Sequence, residues 1–209
     1  MALGTTGERA PARPSPAARP RIEGEREAQI LDATLVLLRE AGYDRLTMDA
    51  VASAAHASKA SLYRRWGSKA RLVVDALHRA DSGFTSPPPE TGTLRGDLLG
   101  AACGAGGLLD QLPVQLMAAL VTALHHHPDL AAAFEESFLR PRLRAARELF
   151  ERAGARGELR ADVDLDLVLD VLPGVVLHRV FLRGEQPTRE LITRVVDAVV
   201  LPAVRPPAP

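Results

Sequence analysis

Between Thr47 and Lys69 the chain reads TMDAVASAAHASKASLYRRWGSK, and the order of residue types there leaves few ways to fold. Thr47, Ser58 and Ser68 each stand just before a run with helical spacing, where a hydroxyl accepts a hydrogen bond from an unpaired N–H of the first turn. Gly67 supplies a stop between the second and third of these runs. Met48, Val51, Ala52 and Ala55 fall at i, i+3, i+4 and i+7, the buried stripe of one short helix. Leu62 and Trp66, four apart, form that of the next. Two short capped helices separated by three or four residues make a helix-turn-helix. With Leu62 and Trp66 facing inward, Lys59, Ser61, Tyr63 and Arg64 are left outside, all able to hydrogen-bond base edges or phosphates. Lys69 follows Ser68 at a helix start, where backbone N–H groups and an ammonium can hold one phosphate together.

The rest of the chain carries the same periodicity. Leu31, Leu35 and Leu38 mark a helix from Glu25 to Ala41 that Gly42 ends, and Ser68 opens another through about Ala80. Residues 1–21, rich in Pro, Ala, Gly and Arg, are expected to form a disordered tail. Pro87, Pro88 and Pro89 mark a break. Beyond it the spacing predicts helices over 93–107, 113–125, 128–155 with a bend near Pro141, 164–183 and 188–201. No strand-like alternation of useful length occurs, so the expected fold is all-α. The expected organisation is a three-helix helix-turn-helix DNA-binding domain over 22–68, a connecting helix over 69–84, and a larger helical ligand-binding and dimerisation domain over 85–209.

A formal net charge of zero first argues against nucleic acid, but residues 1–80 hold 13 Lys/Arg against 9 Asp/Glu and the remainder 13 against 17. The first segment is thus the one suited to a polyanion. Both lysines of the chain, Lys59 and Lys69, lie in it. The acidic remainder disfavours the alternative reading, a non-sensing architectural protein that coats DNA through a basic surface. No nucleophile elbow, P-loop or paired-carboxylate motif points to an enzyme, and no cofactor is expected. His125, His126 and His127 on one helix would point about 100° apart, so they are read as a polar helix end and not as metal ligands. The single Cys103 cannot form an internal disulfide, and neither a membrane-length apolar run nor a signal-like N-terminus occurs. The expected location is the cytoplasm, with no membrane partner.

Residues 38–73, LREAGYDRLTMDAVASAAHASKASLYRRWGSKARLV, resemble the TetR family of bacterial transcriptional regulators, with the run S-K-x-x-L-Y-x-x-aromatic-x-S-K intact from Ser58 to Lys69. The resemblance implies a homodimer on a near-palindromic operator in double-stranded DNA, often released by a small-molecule effector. It implies a DNA-binding set of Thr47, Ser58, Lys59, Ala60, Ser61, Tyr63, Arg64, Arg65 and Lys69. One position departs from the family: His56 stands where the turn usually has Gly.

The last two helices fit the dimer. The segment 165–182 is apolar nearly all round, and Leu191, Ile192, Val195, Val196, Val199 and Val200 follow in the final helix, so homodimerisation is expected through both. Leu98, Cys103, Met117, Leu120, Val121, Leu124 and Phe138, with His178 as a polar group beside Gln115 and Thr122, are expected to line a pocket for an apolar or amphipathic effector. Gly96, Gly100 and Gly104 recur every four residues, which means either close helix packing or room for a ligand.

Overall fold

Helical spacing and hydroxyl caps translate directly into structure in a computed structural model that describes residues 19–81, 88–104, 107–108 and 114–206, in which every regular element is a helix. The first, α1 (Arg19–Arg45), is kinked at Gly42, whose φ of 75° is open to glycine without strain. It starts ahead of Glu25, so residues 19–21 are helical and not part of a disordered tail; a proline such as Pro20 is tolerated in a first turn. Residues 1–18 of that tail, like Pro87, lie outside the described residues. The next three helices are α2 (Met48–Ala54), α3 (Lys59–Trp66) and α4 (Lys69–Ala80). Their caps are those read from sequence: Thr47 Oγ1 accepts from Ala50 N–H at 3.1 Å, Ser58 Oγ from Ser61 N–H at 3.1 Å, and Ser68 Oγ from Arg71 N–H at 3.2 Å.

The C-terminal part comprises α5 (Leu94–Cys103), α6 (Val114–His126), α7 (Pro128–Phe134), α8 (Arg140–Ala155), α9 (Leu165–Arg183), α10 (Arg189–Val195) and α11 (Leu201–Val204). Two π-turns, Glu135–Leu139 and Val196–Val200, join α7 to α8 and α10 to α11, and each ends two residues before a proline, Pro141 or Pro202. A proline has no N–H to give the carbonyl four residues back, and the ladder shifts to i→i−5 bonds from Arg140 to Glu135 and from Leu201 to Val196. The bend expected near Pro141 therefore takes the form of a π-turn. The carbonyl Pro141 leaves without its donor is that of Ser137, and His78 of α4 fills the gap with Nε2 at 2.8 Å. A carbonyl only accepts, so His78 carries its proton on Nε2.

Packing divides the chain differently from its sequence order. One hydrophobic cluster unites α1–α4 with Leu116, Leu120 and Ala123 of α6, Leu130 of α7 and Phe138 of the first π-turn. A second joins α5, α8, α9 and the last helix around Leu94, Leu149, Phe150, Ile192 and Val196. The α5 start is tied to the α8 end through the buried Asp97, which accepts from Thr91 N–H at 2.6 Å and from Arg156 at 3.3 Å. Burial pushes the Asp97 carboxyl up, but the Thr91 hydrogen bonds and the Arg156 charge outweigh it and hold the group below its ordinary value. The α5 glycines serve close packing: a Cβ on Gly96 would lie 2.1 Å from Thr91 Oγ1, and one on Gly100 2.9 Å from Pro89 Cγ.

Replacing His78 by Ala should destabilise the protein by about 1 kcal/mol, since Ser137 loses its long-range donor. In a Pro141→Ala background, where an N–H becomes available, the same replacement should cost less. Equal losses in the two backgrounds, by denaturant titration, would show that His78 does not stand in for the missing N–H.

Candidate nucleic-acid interface

The turn between α2 and α3 closes with two backbone bonds, Ala57 N–H to Ala52 O at 2.8 Å and His56 N–H to Ser53 O at 3.1 Å. This pairing requires a left-handed residue between helix end and exit. His56 supplies it at φ 51°, the one non-glycine with positive φ among the described residues, and Arg26 of α1 donates to its carbonyl. The departure from glycine thus leaves the turn geometry in place.

Beyond the turn, α3 is anchored by Leu62 and Trp66, both buried, and Trp66 Nε1–H donates to Asp75 Oδ2 of α4 at 3.0 Å. The opposite face is open. Tyr63 is 46% exposed, and Ala60 and Arg64 are exposed. Lys59 Nζ lies 2.7 Å from Asp49 Oδ2, a hydrogen bond that pushes the ammonium pKa up. Both side chains are exposed, and such pairs contribute little, so Lys59 can exchange Asp49 for another anion. Ser61 is half-buried with its hydroxyl 2.8 Å from that of Ser58, and exposed Thr47 is engaged as the α2 cap. Arg65 differs from its neighbours. It turns back to Glu27 of α1 at 2.8 and 3.3 Å, with its guanidinium 5.6 Å from the Trp66 ring centre.

Lys69, the first residue of α4, is half-buried. Its Nζ donates to the Tyr43 carbonyl at 2.9 Å and sits 3.9 Å from the centre of the Tyr43 ring. Tyr43 is buried; that burial, with Asp129 and Asp44 nearby, pushes the phenol up to about 12, so it stays protonated at neutral pH. Against the same ring lies His127, centroids 4.8 Å apart, with its Nε2 2.5 Å from Asp44 Oδ1. The sequence reading took the three histidines for a polar helix end. That description fits the exposed His125 and His126, but His127 reaches the helix-turn-helix unit across 83 residues of chain. The one hint in sequence was Pro128, which starts a new helix immediately after it.

The residues expected to line an effector pocket do not gather in one place. Leu98 and the half-buried Cys103 belong to the second hydrophobic cluster, and burial raises the Cys103 thiol pKa. Met117, Leu120, Leu124 and Phe138 belong to the first, because α6 turns that face toward α1 and not toward α5. Val121, Thr122 and His178 are exposed, and the Gln115 side chain lies outside the described residues. His178 sits with the exposed Leu167, Gly174 and Leu182 on the outer side of α9, away from the protomer core. Val195 and Val196, expected at a dimer interface, are buried within the protomer, while Val199 is exposed. Two cavities among the described residues lie elsewhere. One of about 340 Å³ is lined by Phe150, Leu159, Arg160 and Val163, and one of about 280 Å³ by Arg65, Trp66, Arg71 and Glu136. No helix of the described residues is long and apolar enough to cross a membrane.

Residues 30–76 match the family model described as bacterial regulatory proteins, tetR family, and residues 88–199 match the tetracyclin repressor-like C-terminal domain. Over 183 residues the chain is 38% identical to the DNA-binding transcriptional repressor TetR of Mycobacteroides abscessus, covering 88% of this chain and 96% of that protein. Among solved structures, the TetR family transcription regulator SCO0332 is 29% identical with a TM-score of 0.57, covering 87% of this chain and 100% of its own. The flavonoid-responsive regulator FrrA shares the fold at 24% identity and a TM-score of 0.67, covering 88% and 100%.

The left-handed His56 yields a stability test. His56→Gly removes a steric cost of about 1 kcal/mol and should raise the melting temperature by about 2–4 °C for a chain of this size. A lowered melting temperature would mean that the imidazole makes a compensating contact.

Proposed function

The chain belongs to the TetR family of bacterial regulatory proteins, and on that footing we propose that it is a cytoplasmic repressor that holds a near-palindromic operator as a homodimer and leaves it when a small apolar or amphipathic ligand binds. The observation that carries the reading is the open face of α3, where Lys59, Ala60, Tyr63 and Arg64 are exposed while Leu62 and Trp66 hold the helix down. In a helix-turn-helix the second helix enters the major groove and the first crosses the backbone. Ser61, Tyr63 and Arg64 then face base edges. Thr47, Ser58, Lys59 and Lys69 lie toward phosphates, and Arg65 joins them only by leaving Glu27.

Two protomers would meet through α9 and the last helix, since Leu167 and Leu182 are 66% and 77% exposed and Val199 adds to them. On a near-palindromic site the two α3 helices would then dock in major grooves about one helical turn, or a little more, apart. An apolar or amphipathic ligand suits the larger cavity, where Phe150, Leu159 and Val163 stand beside Arg160. A compound that raises the melting temperature and releases the operator would identify it.

Genome-wide binding-site mapping with footprinting tests the whole reading: protection of one short palindrome is expected, and uniform coating would favour an architectural DNA binder. Lys69→Ala should weaken binding to every sequence and lower the log–log salt slope by about one per protomer. Replacing Ser61 or Tyr63 should instead change the preference among bases. An unaltered slope would remove Lys69 from the phosphate contact. The interface is checked by Leu182→Asp with Val199→Asp, which places charge where apolar surface should be covered. Sedimentation at micromolar concentration should then show a monomer; a persisting dimer would put the interface elsewhere.

A further inference from the structure

We propose that His127, a residue of the C-terminal part remote from α3, is a positioning residue for Lys69 at the DNA phosphate, acting through Tyr43. The inference rests on the reading of Lys69 as a phosphate contact.

A lysine ammonium rides on a flexible four-carbon stem and has three donors. Here one donor is committed to the Tyr43 carbonyl at 2.9 Å, and the ammonium rests 3.9 Å from the Tyr43 ring centre, within cation–π range. Two donors remain for a phosphate, and the two contacts with Tyr43 fix where the ammonium lies at the α4 start. Lys59, the chain's other lysine, has only an exposed pair with Asp49. The position of the Lys69 ammonium is therefore set by Tyr43.

Tyr43 is held in turn from the other domain. It follows the Gly42 kink, and its buried hydroxyl has no hydrogen-bond partner among the described residues, so its own polar end does not anchor the ring. The His127 ring packs on it at 4.8 Å with a 58° tilt, and His127 Nε2 reaches Asp44, the next residue. His127 thus grips two successive residues of the corner between α1 and α2. It is free to do so because it stands at the N-cap of α7 yet makes no side-chain cap bond there.

The chain's having only two lysines permits a direct test. Reductive methylation with ¹³C-formaldehyde labels Lys59, Lys69 and the terminal amine of the full DNA-free protein. The Lys69 methyl signal should lie upfield, under the Tyr43 ring. His127→Ala should move it toward the position of Lys59 while Lys59 stays unchanged. On the mapped operator, His127→Ala should weaken binding roughly 3- to 10-fold and lower the salt slope, with no further loss in a Lys69→Ala background, as coupled residues behave. Should His127→Ala fail to fold, His127→Gln, which keeps a donor for Asp44 but no ring, should give the same displacement of the Lys69 signal. A stationary Lys69 signal, or equal losses of affinity with and without Lys69, would overturn the inference while leaving the phosphate reading intact. If Lys69→Ala is itself silent on DNA, the phosphate reading fails, and His127 positions nothing there.

Discussion

The structure depends on one shared hydrophobic cluster. Leu38 of α1, Val51 of α2, Leu62 of α3 and Val74 of α4 are buried together with Leu120 of α6 and Leu130 of α7. Short helices of seven and eight residues, such as α2 and α3, do not persist alone, because nucleating each turn costs more than its few hydrogen bonds return. Their stability comes from packing, and much of that packing surface belongs to α6 and α7. The helices proposed to face DNA are therefore carried by the part of the chain proposed to receive a signal. The polar links between the halves, His127 to Asp44, His78 to Ser137 and Arg142 to Asp81, ring this cluster and fix its register.

What could be read from the sequence was what local chemistry decides. Thr47, Ser58 and Ser68 announce helix starts because a hydroxyl there satisfies an N–H within three residues. Leu62 and Trp66 reveal the inner face of α3 because four residues make one turn. The family resemblance over residues 38–73 added the expectation of an operator and completed the set of expected DNA contacts, of which spacing alone suggests Lys59, Ser61, Tyr63 and Arg64. The form of the turn at His56 was not legible there: the residue departs from the usual Gly, and only the backbone bonds around it show that the left-handed conformation is kept.

What stayed hidden was decided across long separations. Periodicity says that α6 has an apolar face but not which neighbour receives it, so Leu98 and Met117 looked like walls of one pocket and belong to different clusters. His178 looked enclosed among valines and leucines, yet the helix turn places it outside. His127 looked like a solvated end because its partners lie more than eighty residues earlier. Each of these misplacements concerns tertiary facing, and none concerns helix identity.

The bond from His78 to Ser137 bears on how the molecule assembles. Elsewhere in α7 and α8 a carbonyl finds its donor one turn away, as soon as the helix winds. At Ser137 the proline removes that possibility, and the donor arrives from 59 residues upstream. The side-chain donor for this carbonyl consequently arrives only when α4 has docked. The join between α7 and α8 is thereby coupled to the helix-turn-helix unit by about the free energy of one hydrogen bond. Partly folded chains with an ordered C-terminal half and a loose N-terminal one are penalised at that carbonyl. With the hydrophobic cluster that α6 and α7 share with α1–α4, this bond favours a single cooperative melting step, despite the two separate matches along the sequence.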